Sequence, residues 1–240
     1  MSLIDIRKGF LEETGRFDLV DSTTYANKGA DRYIRAGQRW LDRTFDIAAN
    51  NGKYLTTLAI DDWYTLIPEV RVIQTVQMSS STRDKVFLCH VPFEEFRSQW
   101  PEDPTTVTVG FPAYFTLVPL RTTPEALSLT TIAQWATAVT SSVDNYGYNG
   151  LLWMPPLEEA ATLEVHGKFY QPVLRGDGDI NFWTEQELDV LVHAACRALE
   201  ISHRNTAGVR DWEFAIRSDM LGLEHDFAEQ EAAFTTGFEG

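Results

Sequence analysis

KGADRYIRAGQRWLDR, residues 28–43, places Lys28, Arg32, Arg35, Arg39 and Arg43 at helical spacing. At about 100° per residue these five cations share one narrow stripe. Ala30, Tyr33, Ile34, Gly37, Leu41 and Thr44 fall on the opposite side. The pattern predicts an amphipathic helix from about Asn27 to Ala48, with an inward apolar face and an outward row of cations. Asn50, Asn51 and Gly52 then break it, and the period changes. KYLTTLAI, WYTLIP, VRVIQTVQM and KVFLCHV are rich in β-branched and aromatic residues and read as strands.

Outward from that boundary the chain alternates between two styles. Leu3, Ile6, Phe10 and Thr14 predict a helix over 3–14, stopped by Gly15. PFEEFRSQW predicts one short helix starting on Pro92. FPAYFTLVPL, GLLWMP and ATLEVHGKFY return to strand character. Residues 125–149 fit either helix or strand. Thr184 and Glu187 form the pattern of a capping box opening a helix to about His203. A second helix, 208–228, carries Val209, Trp212, Ile216, Met220, Leu223 and Phe227. The tail EQEAAFTTGFEG keeps Phe234 and Phe238 among acids and glycines and is expected to be flexible when alone. The expected fold class is α+β. A helical bundle built from both chain ends, 1–50 plus 182–240, carries a β-rich insertion, 51–181.

Composition narrows the function classes. The 240 residues are 44% hydrophobic and include seven Trp, enough for a core. No apolar run reaches membrane-spanning length, so no membrane partner is expected. Two distant cysteines do not make a disulfide framework, and a reducing cytoplasm is the simplest origin. The net charge is −15. Residues 1–50 hold eight charges of each sign, whereas 177–240 hold fourteen acidic and four basic, net −10. Such acidity argues against wrapping nucleic acid but suits a surface past which DNA slides. The uneven charge suggests copies that meet basic to acidic. It equally suits a solvated helix face balanced locally by Asp31, Asp42 and Asp46.

Candidate chemistry is sparse. GDGDIN sets Asp177, Asp179 and Asn181 as in the first half of a calcium loop, but Phe182 and Leu188 stand where Gly and Glu are needed. His193, Cys196 and His203 lack a second pair of soft ligands for zinc. No phosphate loop or nucleophile motif is present. Asp61–Asp62, Glu94–Glu95 and Glu158–Glu159 read as solvated acids rather than a catalytic pair. No cofactor, metal or enzymatic activity is expected.

GRFDLV (15–20), YIRAGQRWLDR (33–43), LLWMPP (151–156), GKFYQPVLRGDGDINFW (167–183) and RNTAGVRDW (204–212) together resemble the head–tail adaptor, or connector, proteins of tailed bacteriophages. The resemblance covers both ends and the edges of the middle region, and is weakest over 79–149. It implies a ring, commonly of twelve copies, below the portal protein. Such a ring extends the DNA channel, without sequence-specific DNA binding, and docks tail proteins and fibres. It places the protein in the virion neck, and in the host cytoplasm during assembly. Candidate interface residues are Lys28, Arg32, Arg35, Arg39, Arg43, Phe227, Phe234 and Phe238. The alternative is a β-rich module binding a fibre or carbohydrate through Trp63, Tyr64, Trp100, Tyr114 and Trp135.

Overall fold

The computed structural model describes residues 1–67, 69–100, 106–119 and 149–236, with the backbone alone for 119, 149 and 224–236. The ambiguous stretch 125–148 lies outside the described residues, as do Trp135 and Phe238. The fold is mixed α/β, and the chain divides into two compact units. One joins residues 1–50 to 170–240, and the other is 51–169. Residues 170–181 thus belong with the helices rather than with the strands.

In the first unit, helix α1 (Leu3–Thr14) starts at Ser2, whose backbone N–H donates to the Asp5 carboxylate at 2.8 Å. It ends at Gly15, whose φ of +63° is the left-handed conformation that glycine adopts without strain. Helix α2 (Asp31–Thr44) is shorter than its sequence pattern. Its start is displaced by Gly29, at φ +138°, while the Asn27 side chain accepts from the N–H groups of Gly29 and Asp31. Its end comes early because Phe45 turns extended, and Phe45 and Ile47 are both buried.

The C-terminal end departs from expectation twice. The capping box is formed by Asn181 and Thr184, and it opens a separate short helix, α4 (Phe182–Glu185). Asn caps at least as well as Thr, and Thr184 is fully buried with its hydroxyl donating to the Asn181 carbonyl. Helix α5 (Leu188–Ser202) then begins after Glu187. The last helix, α6 (Thr206–Thr236), runs eight residues beyond the expected end at 228. The Glu, Gln and Ala of EQEAA are strong helix formers, and they continue the helix through the stretch expected to be flexible. Helices α1, α2, α5 and α6 share one core that includes Ile6, Phe10, Ile34, Leu41, Leu191, Ala195, Leu199, Ile216 and Met220. Helix α2 approaches α5 so closely that a Cβ on Gly37 would lie 2.7–2.9 Å from backbone atoms of Ala194 and Ala195.

The second unit contains two four-stranded sheets. Strands β1 (Asn51–Leu58), β8 (Ala161–Phe169), β3 (Val70–Ser80) and β4 (Val86–Phe87) pair antiparallel in that order. Strands β2 (Tyr64–Ile67), β7 (Asn149–Met154), β6 (Tyr114–Pro119) and β5 (Cys89–His90) form the other, with β5 parallel to β6. Leu58, Ile67, Val76, Met78, Phe115, Leu151, Trp153, Leu163 and Val165 make a core common to both sheets. Helix α3 (Phe93–Gln99) buries Phe96 against Val91 and Met154. Along β8, Ala161, Leu163, Val165 and Gly167 are buried while Thr162, His166 and Lys168 are less so, as side chains two apart share a face.

Candidate docking surface on helix α2

Arg32, Arg35, Arg39 and Arg43 are all exposed on α2, while Tyr33, Ile34, Gly37, Gln38, Leu41 and Asp42 are buried on its other side. Lys28 is not part of the row. It precedes the helix, and its ammonium pairs with Asp21 at 2.8 Å. That Lys28 bond is the largest of several that hold the Asp21 carboxyl far below the usual carboxylate range; Thr23 and Thr24 N–H groups add to it. The structure therefore supplies four aligned cations rather than five.

Two of the acids expected to balance the row face elsewhere. Asp31 is engaged by Arg7, whose guanidinium donates twice to it, at 2.7 and 2.9 Å. Arg7 is 3% exposed and donates again to Asp177 at 2.5 Å. Hydrogen bonding to Asp31, ahead of the opposing cost of burial, raises the Arg7 pKa. Asp42 is 1% exposed and accepts from the Trp183 indole N–H at 2.7 Å and the Gln171 backbone N–H at 3.2 Å. Among the described residues, no carboxylate lies in ion-pair range of the four arginines. Asp31 and Asp42 therefore do not balance the row, while Asp46, the third acid expected to do so, is exposed just after the helix.

The arginines are nonetheless ordered by neighbours. The Arg32 guanidinium lies 4.4 Å from the Tyr33 ring centre and donates to its hydroxyl. Arg35 donates back to the Asp31 carbonyl at 3.3 Å. Arg39 and Arg43 each approach the Tyr170 ring to 5.7 Å, and Arg43 also donates to the Tyr170 hydroxyl at 3.1 Å. Guanidinium groups resting on aromatic faces keep their charge and most of their donors for another partner. Tyr170 was hidden from sequence reading because it only ends a strand-like run, 127 residues from Arg43. Gln38 ties the same segment down, donating from Nε2 to the carbonyls of Gln171 and Pro172 at 2.9 and 3.1 Å.

The remaining sequence candidates are dispersed. Asp177 and Asp179 use their carbonyls to accept the Ile4 and Leu3 N–H groups at the start of α1. The Asp179 carboxylate caps Gly176 and Arg175, and those backbone N–H groups lower its pKa. GDGDIN is therefore a clasp for a helix end. Cys196 is buried, which pushes its thiol up to about 12. His193 stacks near Trp212 at 5.2 Å, whereas His203 is 3.1 Å from Arg16. Among the described residues no three His, Cys, Asp or Glu side chains are placed to hold a metal ion. Glu158 pairs with Arg83 at 2.8 Å, and Glu159 accepts from the Ser80 and Thr82 hydroxyls, so both acids hold a turn. Of the described aromatics in the middle region, Trp63 and Tyr64 pair at 4.7 Å and Trp100 packs between Phe96 and Tyr114. Only Tyr114 among these four is exposed.

A second feature was missed in the sequence. Arg210, Phe214, Arg217 and Leu221 lie along one exposed line of α6, with Phe214 78% exposed. The spacing i, i+4, i+7, i+11 would have marked it. Phe227 and Phe234 stand further along the same helix. Among the described residues no helix is long and apolar enough to cross a membrane. The chain matches no protein-family model and no curated protein.

Proposed function

We propose that this protein is a structural head–tail adaptor of a tailed phage. It forms a ring under the portal, extends the DNA channel and offers a docking surface to tail proteins. In this reading the helices from both chain ends form the body, and the strand-rich unit is the insertion that the body carries. The reading rests on the resemblance in 15–20, 33–43, 151–156, 167–183 and 204–212. One observation carries it furthest: an acidic chain keeps four aligned arginines exposed while two nearby acids are committed to its interior. Uncommitted charges of one sign favour a partner of the other sign and raise its association rate. A ring needs two different complementary faces on each copy, because its contacts are heterologous.

The test is decoration of portal rings by the full chain, counted by electron microscopy. Wild-type protein is expected to add a ring at one end of the portal. Arg35→Glu with Arg39→Glu should abolish that ring while leaving the circular dichroism spectrum unchanged, since both side chains are exposed. A wild-type chain that never decorates portal would refute the adaptor reading. Normal decoration by the double variant would remove α2 from the contact.

A further inference from the structure

We infer that the arginine row of α2 receives the acidic C-terminal stretch of α6 from a second copy of this chain, so that copies join head to tail. The inference deepens the adaptor reading and rests on it for the ring, but the contact is testable without a portal. From residue 218 to the end the chain has six acids, Asp219, Glu224, Asp226, Glu229, Glu231 and Glu239, and no Lys or Arg. Five of these stand on the described part of α6. The lengths are similar. Arg32 to Arg43 covers about 17 Å of helix, and the acids that fall on one side of α6 at about 100° per residue, Asp219, Asp226 and Glu229, span about 15 Å, at 1.5 Å per residue.

Among the described residues the row lacks acidic partners within its own copy. On α2, Asp31 is held by Arg7 and Asp42 by Trp183 and Gln171. On α6, no Lys or Arg follows Arg217 in the sequence, and Asp219 lies 3.8 Å from His193. Opposite charges at this density on two helices favour one another over solvent, and like-charge pairings, row to row or tail to tail, are disfavoured. Since the row and the stretch are different surfaces, a pair of copies retains one free row and one free stretch. Such a contact propagates until it closes.

Sedimentation and native mass spectrometry of the full chain at low salt would test this. Wild-type protein should form species larger than a dimer, and raising the salt from about 50 to about 500 mM should dissociate them as the screening length shrinks severalfold. Arg35→Glu with Arg39→Glu, and separately Asp226→Lys with Glu229→Lys, should each weaken association at least about tenfold. Mixed together, the two variants pair native row with native stretch and swapped row with swapped stretch, so larger species should return only in the mixture. The fourfold charge swap should restore larger species. A monomeric wild type at low salt, or variants that associate as well as wild type, would overturn the inference. So would mixed variants that stay monomeric. Tight binding of duplex DNA that is lost in the Arg35/Arg39 variant, with self-association unaffected, would instead make the row a phosphate-binding surface. Self-association as described, without decoration of portal, would sink the neck assignment and leave this contact standing.

Discussion

Replacing Arg7 by Met should be among the most damaging single changes in the helical unit, although it removes one side chain from a twelve-residue helix. Met keeps the length and apolar stem of Arg7 but takes away the guanidinium. Asp31, 8% exposed, is then left with a buried carboxylate that has lost both short hydrogen bonds from Arg7. Breaking a buried pair by removing one partner costs about 3–5 kcal/mol, because the remaining charge is neither solvated nor paired. Asp177 should matter much less. It is 66% exposed, so water replaces its lost bond, and Asp177→Asn should cost under about 1 kcal/mol. With a urea slope of about 2 kcal/mol per molar, the Arg7→Met midpoint should fall by roughly 1.5–2.5 M. Far-ultraviolet circular dichroism at the helix band follows this unit, since α1, α2, α5 and α6 all belong to it. The double variant Arg7→Met with Asp31→Leu should recover most of the loss, because the orphaned charge is gone. A midpoint shift below about 0.5 M for Arg7→Met would refute the reasoning, as would strict additivity of the two substitutions.

Two glycines in helices should respond in opposite directions. Gly37→Ala puts a methyl against the α5 backbone and should destabilise by about 1–3 kcal/mol despite its better helix propensity, whereas Gly222→Ala meets nothing within 4 Å and should stabilise by up to about 1 kcal/mol; thermal melts of both variants would check the contrast. In the strand-rich unit, the Glu164 carboxyl is pulled down to about 2, chiefly by hydrogen bonding from Lys85 at 2.7 Å and then from His166 at 2.6 Å. A carboxyl titrating lower when folded contributes stability that is present above its unfolded pKa, about 4.3. That contribution is lost as the pH falls through about 2. The stability difference between wild type and Glu164→Gln should therefore be constant above about pH 5 and shrink between about pH 4.5 and 2; a difference independent of pH there would remove Glu164 from the network.

Local chemistry explains which elements are legible in the sequence. The apolar spacing of Leu3, Ile6 and Phe10 with Gly15 after it determines α1. The strand-forming composition of residues 70–78 and 161–169 makes β3 and β8 legible. The cationic stripe is legible for the same reason, except at Lys28, where the left-handed Gly29 separates it from the helix. Helix ends are less legible because they depend on what the next residues must bury, as Phe45 and Ile47 show.

What the sequence alone determined, then, is the change of period near residue 50, the four-arginine face and the acidic C-terminal region. Those follow from spacing and composition, which are properties of neighbours along the chain. Tertiary structure alone decided that Arg7 and Asp42 turn inward, that Tyr170 lies beside Arg39 and Arg43, and that the arginines consequently lack acidic partners among the described residues. Each of these depends on contacts between residues 24 to 141 positions apart. A charge reads the same in sequence whether it is solvated or buried; only the packing around it sets whether it is spent inside the fold or left for a partner.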